Sequence, residues 1–186
     1  MASRTISTRL VIEGEAEYKR SITNINSSLG VLKSELGKVK AEYSDSANTL
    51  EALKAKQAAY TAIQQDQAEK VKLLSAVLES AKEAQQQYAD KVETARAKLA
   101  QAETALDKMR ASNKSSTQEQ EKLTQAVEEY RAELEQAEKY NEDAQKSVNK
   151  WGTQLNNAQK DVFKLSAEVK ISSALQKCRR HRKSPV

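Results

Sequence analysis

From Tyr18 onward the apolar residues recur in alternating steps of four and three: Tyr18, Ile22, Ile25, Leu29, Leu32, Leu36, Val39 and Tyr43. The same phase continues through Leu50, Leu53, Tyr60, Val71, Leu74, Leu78, Tyr88, Val92, Leu99, Leu106 and Met109. It resumes at Leu123, Val127, Tyr130, Leu134, Val148, Trp151, Leu155, Val162, Leu165 and Val169. Written as heptads, residues 18 to 172 hold 45 a and d slots; 35 are apolar or aromatic, ten are Ser, Asn or Gln, and none is charged. In a chain that is 31% charged, about 14 charges would fall there by chance. A 3.5-residue repeat kept this long predicts supercoiled α-helices with one continuous seam. The fold class expected is all-α, with long heptad-repeat coiled-coil helices that kink or fold back as hairpins.

Two polar stretches interrupt the pattern, SDSAN at 44–48 and SNKSST at 112–117. Each is rich in poor helix formers and carries a capping-box spacing, Asn48 with Glu51 and Ser116 with Glu119. Helices are therefore expected over 15–43, 49–111 and 117–172, with breaks at 44–48 and 112–116. The last two are similar in length, as an antiparallel hairpin requires. The heptad phase nevertheless survives both breaks, which an arbitrary turn would preserve about one time in seven. A continuous rod of some 155 helical residues would reach about 230 Å at 1.5 Å per residue. The isolated chain is expected to be kinked or hairpinned, and the extended form to belong to an assembly.

The seam is soft. Gln57, Gln64, Gln67, Gln85, Asn141 and several alanines take slots that Leu or Ile would fill in a tight zipper. Buried polar groups weaken such a seam but can fix its register. The flanking slots carry no consistent charge code, since Glu35 could pair with Lys40 but Lys91 would face Arg96. Apolar Ile63 and Val77 at g slots widen the stripe beyond a two-helix contact, so a multi-helix bundle is expected. Gly30 and Gly37 share a b slot one heptad apart, marking either a close neighbour or simple tolerance.

The two ends differ from the body. Residues 5–13, TISTRLVIE, alternate with Ile6, Thr8, Leu10 and Ile12 on one face, and Gly14 follows. A short β-strand is expected within an arm over 1–14, pairing with another copy or another protein; a frayed arm is the alternative. At the other end CRRHRKSPV holds the only cysteine, histidine and proline. The net charge of +5 is misleading, because residues 1–170 carry 26 basic and 26 acidic side chains. The excess lies in Lys177, Arg179, Arg180, Arg182 and Lys183. A disordered basic tail is expected over 173–186, with Arg179, Arg180, Arg182 and Lys183 as a weak, non-specific phosphate contact.

Catalytic chemistry finds little purchase. With His181 the only histidine, no Ser/His/Asp or Cys/His site is credible. Cys178 and His181 have a C-x-x-H spacing, but a structural zinc site needs four ligands. No glycine-rich phosphate loop occurs. Five of the six tyrosines and Trp151 occupy a or d slots and are expected to pack rather than to stack on bases. No run of about 18 apolar residues spans a bilayer. The chain is expected to be no enzyme, with no cofactor, no metal and no membrane.

The stretch ISTRLVIEGEAEYKRSITNINSSLGVLKSELGKVKAEYSDSANTLEAL (6–53) combines a strand, a glycine turn, the helix around INSSLGVLKSEL, and ANTLEAL leading into Gln/Ala-rich heptads. It resembles the N-terminus of tail tape measure proteins of siphophages. The resemblance implies a structural protein of the virion tail. A few copies lie extended along the tail-tube lumen and set tail length, with tail tube and tail assembly proteins as partners. It implies a homo-oligomer, located in the virion tail or in the host cytoplasm during assembly, or encoded by a prophage. Members of that family are much longer, so the chain is expected to be a truncated N-terminal part, with the basic tail native or out of frame. The seam residues that would carry this role are Ile22, Ile25, Leu29, Leu32, Leu36, Leu50, Leu53, Val71, Leu74, Leu78, Leu99, Leu106, Leu123, Leu134, Trp151, Leu155, Val162 and Leu165. Two other functions fit the heptads: a generic cytoskeletal or chromosome-associated coiled-coil scaffold, and a non-specific nucleic-acid-binding coiled coil that uses its basic tail.

Overall fold

The structure is a computed structural model, and it describes residues 15–47, 49–112 and 117–182, with the side chains of 180–182 excepted. Over these residues the chain is all-α, with three helices: α1 (Glu15–Glu42), α2 (Leu50–Ala111) and α3 (Thr117–Arg182). The expected strand at 5–13 lies outside the described residues.

Each helix starts where the chemistry of its first turn favours it. Glu15 and Glu17 open α1, Glu51 opens α2 and Glu119 opens α3, placing negative charge at the positive end of each helix dipole. The cap that the structure shows for α2 is Thr49, whose Oγ1 accepts a hydrogen bond from the Ala52 N–H at 3.2 Å. That is one residue later than the capping box around Asn48 predicts. Asn48 itself lies outside the described residues. Between α1 and α2 the backbone closes in successive turns, Ser46 N–H to Tyr43 O at 3.3 Å and Thr49 N–H to Ser46 O at 2.9 Å. Lys56 Nζ donates to Ala47 O at 3.3 Å and ties this turn to α2.

The described residues form two compact units. One combines residues 15–78 with 151–182, and the other is Glu79–Lys150. In the first, α1, the start of α2 and the end of α3 make a three-helix bundle. Ile25, Leu29 and Leu36 of α1 pack with Tyr60 and Ile63 of α2, and Leu165 and Val169 of α3 pack against them. Ser28 Oγ of α1 donates to Asp66 Oδ2 of α2 at 2.5 Å, and Lys40 Nζ lies 5.6 Å from the centre of the Tyr60 ring. As α1 advances its partners on α2 recede, so these helices are antiparallel. In the second unit α2 and α3 form an antiparallel pair, with Ala102, Leu106 and Val127 buried and Leu99, Leu123 and Tyr130 packed against them.

The C-terminal segment corrects the sequence reading. Residues 173–182 were expected in a disordered tail, yet α3 continues to Arg182. Ser172 and Gln176 are both only 6% exposed. Both occupy the next seam slots in phase, but as polar residues they look like the end of an apolar stripe. Gln176 is held inside by hydrogen bonds to Leu53 O and Gln57 Oε1 of α2, and no helix breaker intervenes before Pro185. The glycine ambiguity also resolves: a Cβ at Gly30 or Gly37 would meet nothing within 4 Å. Neither marks a close helix approach.

The polar seam and the basic end of α3

The α2–α3 contact of the three-helix unit is stitched by amides at seam slots. Gln176 Nε2 donates to Gln57 Oε1 at 2.6 Å and to Leu53 O at 3.0 Å. Gln57 Nε2 donates in turn to Ser173 Oγ at 2.9 Å. One heptad along α2, Gln64 Nε2 donates to Ser166 Oγ at 2.9 Å, and Ser166 Oγ donates to Val162 O at 2.9 Å. Gln67, 2% exposed, donates weakly to Asp161 Oδ2 at 3.4 Å. Its Oε1 is buried with no hydrogen-bond partner among the described residues. A buried amide is tolerated only where its partners are in place. A slip of one helical turn along this seam would orphan several amides together, so the ladder fixes register as well as contact.

In the two-helix unit Gln85 Nε2 donates to Asn141 Oδ1 at 3.3 Å. Beside it the Tyr88 and Tyr140 rings meet with centroids 5.8 Å apart, tilted by 41°. Its seam is otherwise flanked by charge. Arg96 pairs with Glu138 at 2.7 Å, Lys98 with Glu133 at 3.0 Å and Arg131 with Glu103 at 2.8 Å. Lys91 and Lys98 also lie over the rings of Tyr88 and Tyr130, at 4.7 and 5.9 Å from their centres. On the outer face, hydrogen bonds to Glu142 and Asp143 hold the Lys146 ammonium above the ordinary lysine value. A cation raised in the fold keeps its contribution below the unfolded pKa and loses it as pH rises through the folded one. This surface cluster therefore loses its contribution only in strong alkali.

Of the expected seam residues, Ile22, Ile25, Leu29, Leu36, Leu53, Leu74, Leu106 and Trp151 are buried. Leu32, Leu50, Val71, Leu78, Leu99, Leu123, Leu134, Leu155, Val162 and Leu165 are half-buried. They do not form one site, since they divide between the two units. What the heptads did not disclose is the pairing of the polar slots. Ser166 and Ser173 lie at e slots and carry no signal in an apolar count, although they receive the amides of Gln64 and Gln57.

At the basic end, Arg179 is exposed on α3. Arg180 and Arg182 lie in the last turns of the same helix, and Lys183 lies outside the described residues. Cys178 is a free, exposed thiol. Among the described residues no cluster of His, Cys, Asp and Glu could hold a metal ion. None of their helices is long and apolar enough to cross a membrane. No protein-family model, curated protein or solved structure matches the chain.

Proposed function

We propose that the chain is a structural scaffold of the tail tape measure type, the N-terminal part of a protein that sets tail length, and that it performs no catalysis. The observation that carries this reading is the heptad phase, which passes unbroken through both turns. A hairpin has no need of it, because a turn can reset the phase at no cost. A rod needs it, because every helix must present the same face along the whole axis. The resemblance of residues 6–53 points the same way.

The hairpinned bundle is then the stored form and an extended bundle the working form. Both use the same uncharged seam, facing α1, α2 and α3 of its own chain in one case and other copies in the other. Seam amides and alanines suit such an exchange. They stabilise a contact less than Leu or Ile would, by roughly 0.8 kcal/mol per methylene not buried. A helix also turns residue number linearly into length, which a ruler requires. Tail tube and tail assembly proteins are the partners on this reading, and the virion tail is the destination.

The encoding locus provides the test. Genes for tail tube and tail assembly proteins are expected on either side, and neighbours unrelated to tail morphogenesis would overturn the proposal. Where a tail tube subunit is encoded nearby, deleting one heptad pair from the full gene is expected to shorten tails by about 21 Å, 14 residues at 1.5 Å each.

A further inference from the structure

Beyond a length-setting role, α3 carries opposite charge along its two halves. Between Glu119 and Asp143 it has nine acidic and three basic residues; between Lys160 and Arg182 it has seven basic and two acidic. The basic half also exposes large apolar side chains: Phe163 is 78% exposed, Ile171 56% and Leu175 44%. Ala167 and Ala174 are exposed between them, so the spacing lays one apolar stripe along four turns. Lys160, Lys164, Lys170, Lys177 and Arg179 flank it, all exposed. Among the described residues none of the five is in an ion pair.

The complementary surface lies on the Glu79–Lys150 unit. There a cleft of ≈ 360 Å³ opens between α2 and α3. Buried Leu106 and Val127 lie at its floor. Asp107, Glu128 and Arg110 rim it, together with Glu103 and Arg131, which neutralise each other at 2.8 Å. Glu121, Glu128 and Glu135 recur one heptad apart, all exposed on one face of α3, and extend the acidic rim in both directions.

We infer that the apolar, lysine-rimmed stripe of α3 docks on this cleft and the adjoining Glu121, Glu128 and Glu135 row of a second copy of this chain. Apolar side chains meet an apolar floor while five cations meet a row of carboxylates, the arrangement that steers and orients association. Each copy carries both the stripe and the cleft, so the contact either closes reciprocally into a dimer or propagates from copy to copy.

Sedimentation of the full chain at low and high salt tests this. Self-association is expected at low ionic strength and weakened at least tenfold by about 0.5 M salt, because exposed charges are screened. A K164E/K170E/K177E chain and an E121K/E128K/E135K chain should each lose association at least tenfold. Mixing the two reversed chains should restore it. F163E/I171E should also abolish it while circular dichroism shows the helices intact. A wild-type chain monomeric under all conditions would overturn the inference, as would association indifferent to both reversals. So would a monomer that instead binds anionic vesicles or DNA through the stripe.

Discussion

The same two helices, α2 and α3, meet in both units, yet the contacts they build differ in kind. In the three-helix unit the buried apolar residues include Ile22, Ile25, Leu29, Leu36, Leu53, Ile63, Leu74, Val77 and Trp151, with Ala52 and Ala158 the alanines among them. In the two-helix unit half of the eight buried apolar residues are alanines: Ala81, Ala95, Ala102 and Ala144. The g slots of α2 show why. In the first unit, where α1 packs on the seam, they include buried Ile63 and Val77 beside half-buried Lys56 and Lys70. In the second, where no third helix of the described residues covers them, Lys91 and Lys98 are exposed. A covered slot needs an apolar side chain to fill it. An uncovered one is better served by a long cation that lays its stem over a tyrosine and keeps its charge in water.

Exchanging these g-slot residues should break the contrast most sharply. Ile63 is 1% exposed, and Ile63→Lys would put an unpaired ammonium into the α1–α2–α3 core. About 4 kcal/mol or more of destabilisation is expected, the size found when a buried charge lacks a partner. The reverse change, Lys98→Ile, loses only an exposed ion pair with Glu133 and should shift stability by less than about 1 kcal/mol. Urea denaturation of the two variants measures both. Similar losses would mean that the third helix does not distinguish the units.

A smaller effect of opposite sign is expected at Gln67. Among the described residues its Oε1 is buried without a hydrogen-bond partner, and its bond to Asp161 is long at 3.4 Å. An unsatisfied buried acceptor costs about 1–3 kcal/mol. Gln67→Leu should therefore raise the denaturation midpoint, by about 1 kcal/mol once the altered shape is allowed for. Gln57→Leu should do the opposite, since Gln57 accepts from Gln176 and donates to Ser173. Equal gains from both substitutions would show that the ladder contributes nothing to the seam.

These residues also mark how far the sequence discloses the fold. The all-α class follows from composition and period alone, because apolar residues at steps of three and four leave no other element able to bury them. The pairing of polar slots does not follow. A glutamine at an a slot looks the same whether it meets a serine, another glutamine or nothing, and only the antiparallel register of α2 on α3 tells Gln64 from Gln67. Register is a long-range property, set here by residues about a hundred positions apart. The helical run past Ser172 was hidden for the same reason. Gln176 counts as a seam residue only once Gln57 is known to lie opposite. The exposed stripe of Phe163, Ile171 and Leu175 was hidden by the seam itself, since Phe163 stands at a b slot beside the stronger a and d signal of Val162 and Leu165.

The finest distinction between the units is electrostatic. Arg96 and Glu138 join α2 to α3 across the two-helix unit at 2.7 Å, with side chains 63% and 46% exposed. Such a pair gains little in high dielectric and orders two long side chains, so a double-mutant cycle with Arg96→Ala and Glu138→Ala should give a coupling of about 0.5 kcal/mol. It should shrink further in about 1 M salt, where the screening length falls to about 3 Å. The cycle at Gln64 and Ser166 in the three-helix unit provides the contrast. That hydrogen bond joins uncharged groups that are only half-exposed, and its coupling should not change with salt. If both couplings fell together as salt rose, the division between a charge-rimmed pair and an amide-stitched bundle would not hold. If only the Arg96–Glu138 coupling fell, exposed charge would join α2 to α3 in one unit and amides in the other.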